Sequence, residues 1–337
     1  SAVLSVWSSR GDNQMTRSSF PPVQGIPVSA IVFLALACLL VQSPSAVSAQ
    51  ETYSKGQSIS PAYEGWEQNP DGSFNFLFGY MNRNWLEEPD IPVGVDNSFS
   101  PGPADRGQPT RFLPRRNRFV FKVRVPADWG DKELVWTLTA NGETQKAFAS
   151  LRLDYVVDNM IIASETGALN AGFSTPASRA NTPPVVSLEG DTVRSATVGQ
   201  RVTLVATVDD DGLPRVSTRT EQPDTSDAPP TLSARQLRPP SRITVAKVNG
   251  LHLAWFVYRG DGEVMFDPFQ VKVWEDSRTG GNSPWSPLWR APPVPEDMRW
   301  EVGVTFDRPG TYVLRGRADD GGLYGDTQVR FIVAPIS

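Results

Sequence analysis

The stretch NRFVFKVRV, residues 117–125, has a period of two. Phe119, Phe121, Val123 and Val125 fall on one side of an extended chain, and Arg118, Lys122 and Arg124 fall on the other. Successive side chains of a strand point to opposite faces, so this pattern describes a half-buried strand of an antiparallel sheet. The same period returns in VTLVATVD, residues 202–209, in Leu253, Trp255 and Val257, and in Val329, Phe331 and Val333. Further strands are expected at residues 73–81, 133–140, 143–153 and 312–318, the last with Arg315 and Arg317 facing outward. Asn141-Gly142 separates the strand-like runs 134–139 and 144–151. Asn-Gly between such runs marks a hairpin, because both turn positions need positive φ. Long helical periodicity is absent after residue 50. The fold class is therefore all-β, with two antiparallel β-sandwich domains.

Composition narrows the chemistry. A length of 337 residues suits about two domains at ~100–200 residues each. One Cys and one His exclude a disulfide and a Cys/His zinc site, and any histidine-dependent triad would need His252. A formal net charge of -5 gives no electrostatic footprint for nonspecific nucleic-acid binding. No Walker loop, dinucleotide-binding glycine pattern, HExxH or GxSxG is present, and no catalytic residue is assigned.

The N-terminus has the pattern of an export signal. No charged residue occurs from Phe20 to Gln50, and residues 31–41, IVFLALACLLV, are continuously apolar. Arg17 precedes them, and Val47 and Ala49 stand at -3 and -1 of a cleavage site after Ala49. This is the layout of a secretory signal peptide, a helix too short to span a bilayer. Met15 is the candidate start, and residues 1–49 form the signal peptide with an upstream extension. Cys38 sits inside the apolar run rather than at its end, so a lipid anchor is not expected. The expected location is secreted, periplasmic or envelope, with no transmembrane segment after cleavage and no cysteine left.

A small-residue, proline-rich linker at 163–184 separates an N-terminal β-sandwich-like domain, 53–162, from a second domain, 185–334. The second carries insertions at 214–242 and 274–300. A buried Trp in mid-domain and a Tyr opening the penultimate strand are marks of immunoglobulin-like sandwiches. NTPPVVSL, VGQRVTLVATVDDDG, LAWFVY and PGTYVLRGRADDGG, within residues 181–334, resemble the immunoglobulin-like and PKD-like repeats of bacterial exported proteins. YEGWEQNPDGSFNFLFGYMNRNW and GQPTRFLPRRNRFVFKVRVP resemble an N-terminal module of uncharacterised bacterial exported proteins. The resemblance implies a bacterial envelope setting and assigns no activity.

Three groups are candidate sites. Trp274, Trp285, Trp289 and Trp300 belong to the second insertion, where exposed rings on a proline-braced loop would stack on sugars and buried ones would close the sandwich end. Arg115, Arg116 and Arg118 head a basic stretch with no acidic residue from 111 to 124; they would bind an anion, or form a solvated face balanced by acidic neighbours. The turns containing Asp209, Asp210 and Asp211, and Asp319 and Asp320, would supply oxygens to Ca²⁺ if they converge, or serve turn chemistry alone. His252 is expected on the surface. Glu64 with Glu67, and Glu87 with Glu88, flank tryptophans and are the carboxylate pairs available to a glycoside hydrolase. The leading reading is a non-enzymatic structural, adhesion or accessory binding module, with a glycan or an envelope protein as partner. A carbohydrate-binding protein using the Trp-rich loop, and a hydrolase, are the alternatives.

Overall fold

The computed structural model describes residues 54–166, 174–214, 250–275 and 291–336. All lie in one compact unit, Ala49–Ser337. The expected signal peptide, Trp285, Trp289 and the bodies of both insertions fall outside the described residues. Among those described, no helix is long and apolar enough to cross a membrane.

The architecture is all-β, with its sheets paired into two β-sandwiches. The first contains β1 (Ile59–Gln68), β2 (Phe74–Asn82), β3 (Asn97–Ser100), β4 (Arg115–Val125), β5 (Leu134–Ala140) and β6 (Glu143–Ala149). One sheet has the order β1-β2-β4 and the other β3-β5-β6, all antiparallel. Asn141 and Gly142 turn the chain between β5 and β6 at φ 50° and 81°. Aromatic residues fill the space between the sheets. Trp136 is fully buried, stacks on Phe99 at 5.8 Å and donates its indole N–H to Asn97 Oδ1 at 3.0 Å. Asn97 in turn donates to the Ile91 and Pro109 carbonyls. The buried ring thus loses no hydrogen bond on leaving water.

β4 departs from simple alternation. Phe121, Val123 and Val125 enter the first core, but Phe119 packs with Leu77, Val157, Ile162 and Leu323 in a separate cluster. The cause is a bulge. Pairing passes from Phe78 opposite Phe121 to Tyr80 opposite Asn117, and Phe119 takes φ 49°. The extra residues rotate Phe119 out of the row. Beyond β6, Asp158 caps helix α1 (Asn159–Glu165) by accepting from the Ile161 N–H. Helix α2 (Pro176–Ala180) follows, with a Thr175–Ser178 capping box.

The second sandwich is immunoglobulin-like. It contains β7 (Val185–Leu188), β8 (Val193–Thr197), β9 (Val202–Asp209), β10 (His252–Arg259), β11 (Val264–Asp267), β12 (Arg299–Phe306), β13 (Gly310–Asp319) and β14 (Tyr324–Ala334). Its sheets have the orders β10-β13-β14-β8 and β11-β12-β9-β7. β8 runs parallel to β14, and the other pairs are antiparallel. Trp255, Leu204, Val304, Phe306, Leu314 and Phe331 meet in its core. Tyr312 is buried there, and its hydroxyl donates to the Arg308 carbonyl at 2.9 Å, the corner that anchors such sandwiches.

Seven consecutive residues of β10, from His252 to Tyr258, are buried. Leu253, Trp255 and Val257 face the strand's own sandwich, whereas Ala254, Phe256 and Tyr258 join the core of the first. Val273 and Trp274 join them there, with Trp274 5.1 Å from Phe256. This overturns two expectations. Arg315 and Arg317 are not outward but 6% and 1% exposed, and His252 is buried rather than superficial. Alternation predicts two different faces, and here the polar face is covered by the neighbouring sandwich instead of water.

Candidate functional site

The arginines were candidate anion ligands, and the chain itself answers their charges. Arg116 pairs with Glu64 at 2.7 Å, and Arg118 holds both oxygens of Glu275 at 2.9 and 3.0 Å. Arg115 lies over the Trp85 ring at 4.1 Å and donates to the Arg83 carbonyl. Arg111 contacts Glu88, Asp90 and Glu263, Lys122 contacts Glu67, and Arg124 contacts Asp71. Glu64, Glu67 and Glu88, offered as hydrolase carboxylates, are therefore ion-pair partners. Burial pushes the Glu64 and Glu88 carboxyls up despite the facing Arg116 and Arg111. Glu87 accepts from the Gly56 N–H at 2.6 Å.

Two more arginines join the sandwiches. Arg317 holds Asp326 through Nε and Nη2, both at 2.7 Å, and donates to the Phe119 carbonyl at 3.0 Å. Its guanidinium lies over Tyr324 at 4.0 Å. Arg315 lies over Tyr258 at 3.5 Å and donates to the Val120 carbonyl. Both accepting carbonyls belong to the β4 bulge, whose irregular backbone leaves them free of a regular ladder. Burial works against the Arg317 charge, but Asp326 outweighs it and the net shift is upward. A cleft of about 370 Å³ borders this junction, lined by Glu67, Lys122, Arg315, Tyr324 and Asp326. Its charged groups are engaged with one another or with the junction.

The acidic turns do approach each other. Asn181 donates to Asp320 Oδ2 at 3.1 Å, and the next residue, Thr182, donates its N–H and hydroxyl to Asp211 Oδ2 at 2.8 and 2.7 Å. The carboxylates then turn to backbone donors. Asp319 accepts from Gly321, Asp320 from Gly322 and Leu323, and Asp210 from Gly212. Among the described residues, no group of three or more His, Cys, Asp or Glu side chains is placed to hold a metal ion. Asp211, Asp319 and Asp320 are thus held by local turn donors, and Asp209 ends β9 exposed. Burial pushes Asp320 up to about 7, and burial with neighbouring Asp211 and Asp209 raises Asp210.

The tryptophans divide. Trp274 is interior, at 4% exposure, with Arg317 over its ring at 5.3 Å. Trp285 and Trp289 lie outside the described residues. Trp300 is a residue of β12 rather than of a loop, half-buried against the second core. It lines a pocket of about 230 Å³ together with His252, Trp255, Phe269 and several prolines.

The pocket arises from strand pairing. β11 pairs β12 only from Gly303 to Phe306, so Arg299 to Val302 are paired with β9 alone among the described strands. The chain leaves β11 at Pro268 and crosses to β10, where Gln270 Oε1 accepts the Trp255 backbone N–H at 2.9 Å. The gap between β10 and β12 stays open, edged by Pro292, Pro293 and Pro295. The indole N–H of buried Trp255 is occluded and has no hydrogen-bond partner among the described residues. Burial draws His252 down to about 4. Sequence reasoning missed Phe269, His252 and Trp255 as site residues. Periodicity read Trp255 correctly as interior, and nothing local tells that β11 stops short of it.

No family model matches the chain, and no curated protein matches it. Among solved structures it is similar to surface layer protein SbsC, domains 1–6, at 8% identity and TM-score 0.22, over 83% of this chain and 28% of that one. It is also similar to the N-terminal eight Ig domains of Down Syndrome Cell Adhesion Molecule, at 8% identity and TM-score 0.21, over 83% of this chain and 27% of that one. A third is titin domains z1z2 in complex with telethonin, at 8% identity and TM-score 0.21, over 82% of this chain and 98% of that one. The chain spans under a third of the first two. These likenesses are shallow and concern the fold alone.

Proposed function

We propose that this chain is an exported, non-enzymatic module of a bacterial envelope, a structural or adhesion element of the immunoglobulin-like and PKD-like kind. The observation that carries the reading is the junction. Domains joined in one chain move relative to each other by default unless their interface is large and apolar. Here one core cluster runs from Phe78 and Trp136 through Phe256, Tyr258 and Trp274, and buried Arg315 and Arg317 bond across it. Two sandwiches held at a fixed orientation suit an element that spaces or presents surfaces. The ionisable groups that would serve hydrolysis are instead spent on ion pairs, as in Glu64–Arg116 and Glu88–Arg111.

Expression of the full chain in a bacterial host tests the export half. Envelope or medium fractions should contain a product beginning at residue 50. Retention in the cytoplasm as an unprocessed chain would contradict it. The purified product, offered a panel of polysaccharide and peptide substrates, should release no products. Turnover abolished by a single carboxylate substitution would replace this reading with a hydrolase.

A further inference from the structure

We propose that the pocket between β10 and β12 binds one pyranose unit of a neutral glycan. This deepens the adhesion reading by naming a ligand class for it.

The walls supply ring faces. Phe269 is 80% exposed, far more than a large aromatic ring gains from in water, and Trp300 is half-buried beside the same space. Both sit where the chain is braced, Phe269 after Pro268 and Trp300 within β12. The C–H face of a pyranose is apolar and packs on such rings, while its hydroxyls need both donors and acceptors.

The polar groups supply both. Trp255, 2% exposed, closes the inner end of the pocket. Arg299 and Glu301, in contact with each other, place a donor and an acceptor at the mouth.

Charge and size choose among ligands. Arg299 is balanced by Glu301 and Glu189, so among the described residues the mouth has no surplus cation for a uronate or phosphate. A volume of about 230 Å³ is below the ~300–1,000 Å³ of pockets for drug-sized ligands and suits a single ring. A proline-rich peptide would instead need an extended aromatic groove.

The compact unit Ala49–Ser337 is titrated with cellotetraose, xylotetraose, mannotetraose and chitotetraose, following tryptophan emission and heat. At least one should bind. Phe269→Ala should weaken that binding about tenfold or more, with an unchanged melting temperature, because the ring is exposed in the free protein. Trp300→Ala should weaken it similarly. Phe148→Ala, an exposed ring on the first sandwich, should leave it unchanged. Absence of binding at millimolar sugar overturns the proposal, as does binding indifferent to Phe269→Ala. Binding only of tetragalacturonate or of a proline decapeptide overturns it too. Each of these failures leaves the scaffold reading standing, since that rests on the junction and not on the pocket.

Discussion

Asp320 and His252 are buried titratable residues with opposite consequences for stability. The Asp320 pKa rises from 3.8 to about 7 on folding. The folded chain therefore holds a proton that the unfolded chain has released, and this stabilisation is complete below about pH 3.8 and gone above about 7. The His252 pKa falls from 6.5 to about 4, so its contribution grows as pH rises through that window. The two oppose each other between about pH 4 and 6.5. Asp320→Asn separates them. Its amide oxygen can still accept from Gly322 and Leu323, and the Asn181 side-chain oxygen, now unpartnered, can take the new N–H after an amide flip. The melting temperature of the variant should exceed that of the parent by a few degrees at pH 8, at about 2–4 °C per kcal/mol for a chain of this kind. At pH 5, between the unfolded and folded pKa values, the gain should shrink to well under half of that. Equal loss at both pH values would show that the carboxylate is needed charged.

Strand β10 shows how far a period of two can be read. The row Leu253, Trp255 and Val257 was legible, and it forms the core predicted for it. The other row, Ala254, Phe256 and Tyr258, is equally apolar, and a strand apolar on both rows is covered on both faces. That sign was present in the sequence. What covers the second face was not, because the partner residues, Trp274 and the β4 bulge, are distant in the chain. Phe256→Ala should cost about 3–5 kcal/mol in a denaturant titration, the range for a buried Phe. Phe148→Ala, 55% exposed on β6, should fall within about 0.5 kcal/mol of the parent. At β4 the alternation held for Phe121, Val123 and Val125 and failed for Phe119, because a bulge changes register without a sequence signature as plain as Asn-Gly.

The two sandwiches are coupled through arginines whose removal leaves buried acceptors behind. Arg317→Ala leaves Asp326 only its longer 3.7 Å contact with Arg315 and strands the Phe119 carbonyl, and breaking a buried pair this way costs about 3–5 kcal/mol. Calorimetry should show one transition for the parent and two for this variant, as the sandwiches melt separately. A single transition at the parental temperature would mean that the arginine contributes no coupling. Arg317→Met with Asp326→Leu should recover part of the loss, since a matched apolar pair avoids the cost of burying charge.

Much of this protein was written locally. The alternation of β4, β9, β10 and β14 set the fold class, Asn141-Gly142 set the hairpin, and the single Cys and His removed whole families of chemistry. These are properties of neighbouring residues and of counts. The basic stretch looked like a site because the sequence from 111 to 124 contains no acid, yet Glu64, Glu275 and Glu263 reach it from 50 to more than 150 residues away. The acidic turns approach each other through Asn181 and Thr182, and local backbone N–H groups with these two side chains hold their oxygens. The pocket between β10 and β12 exists because β11 ends at Asp267 while β12 continues to Arg299. Periodicity tells a strand that it has two faces. Only long-range packing settles whether the second face meets water, another sandwich or a ligand.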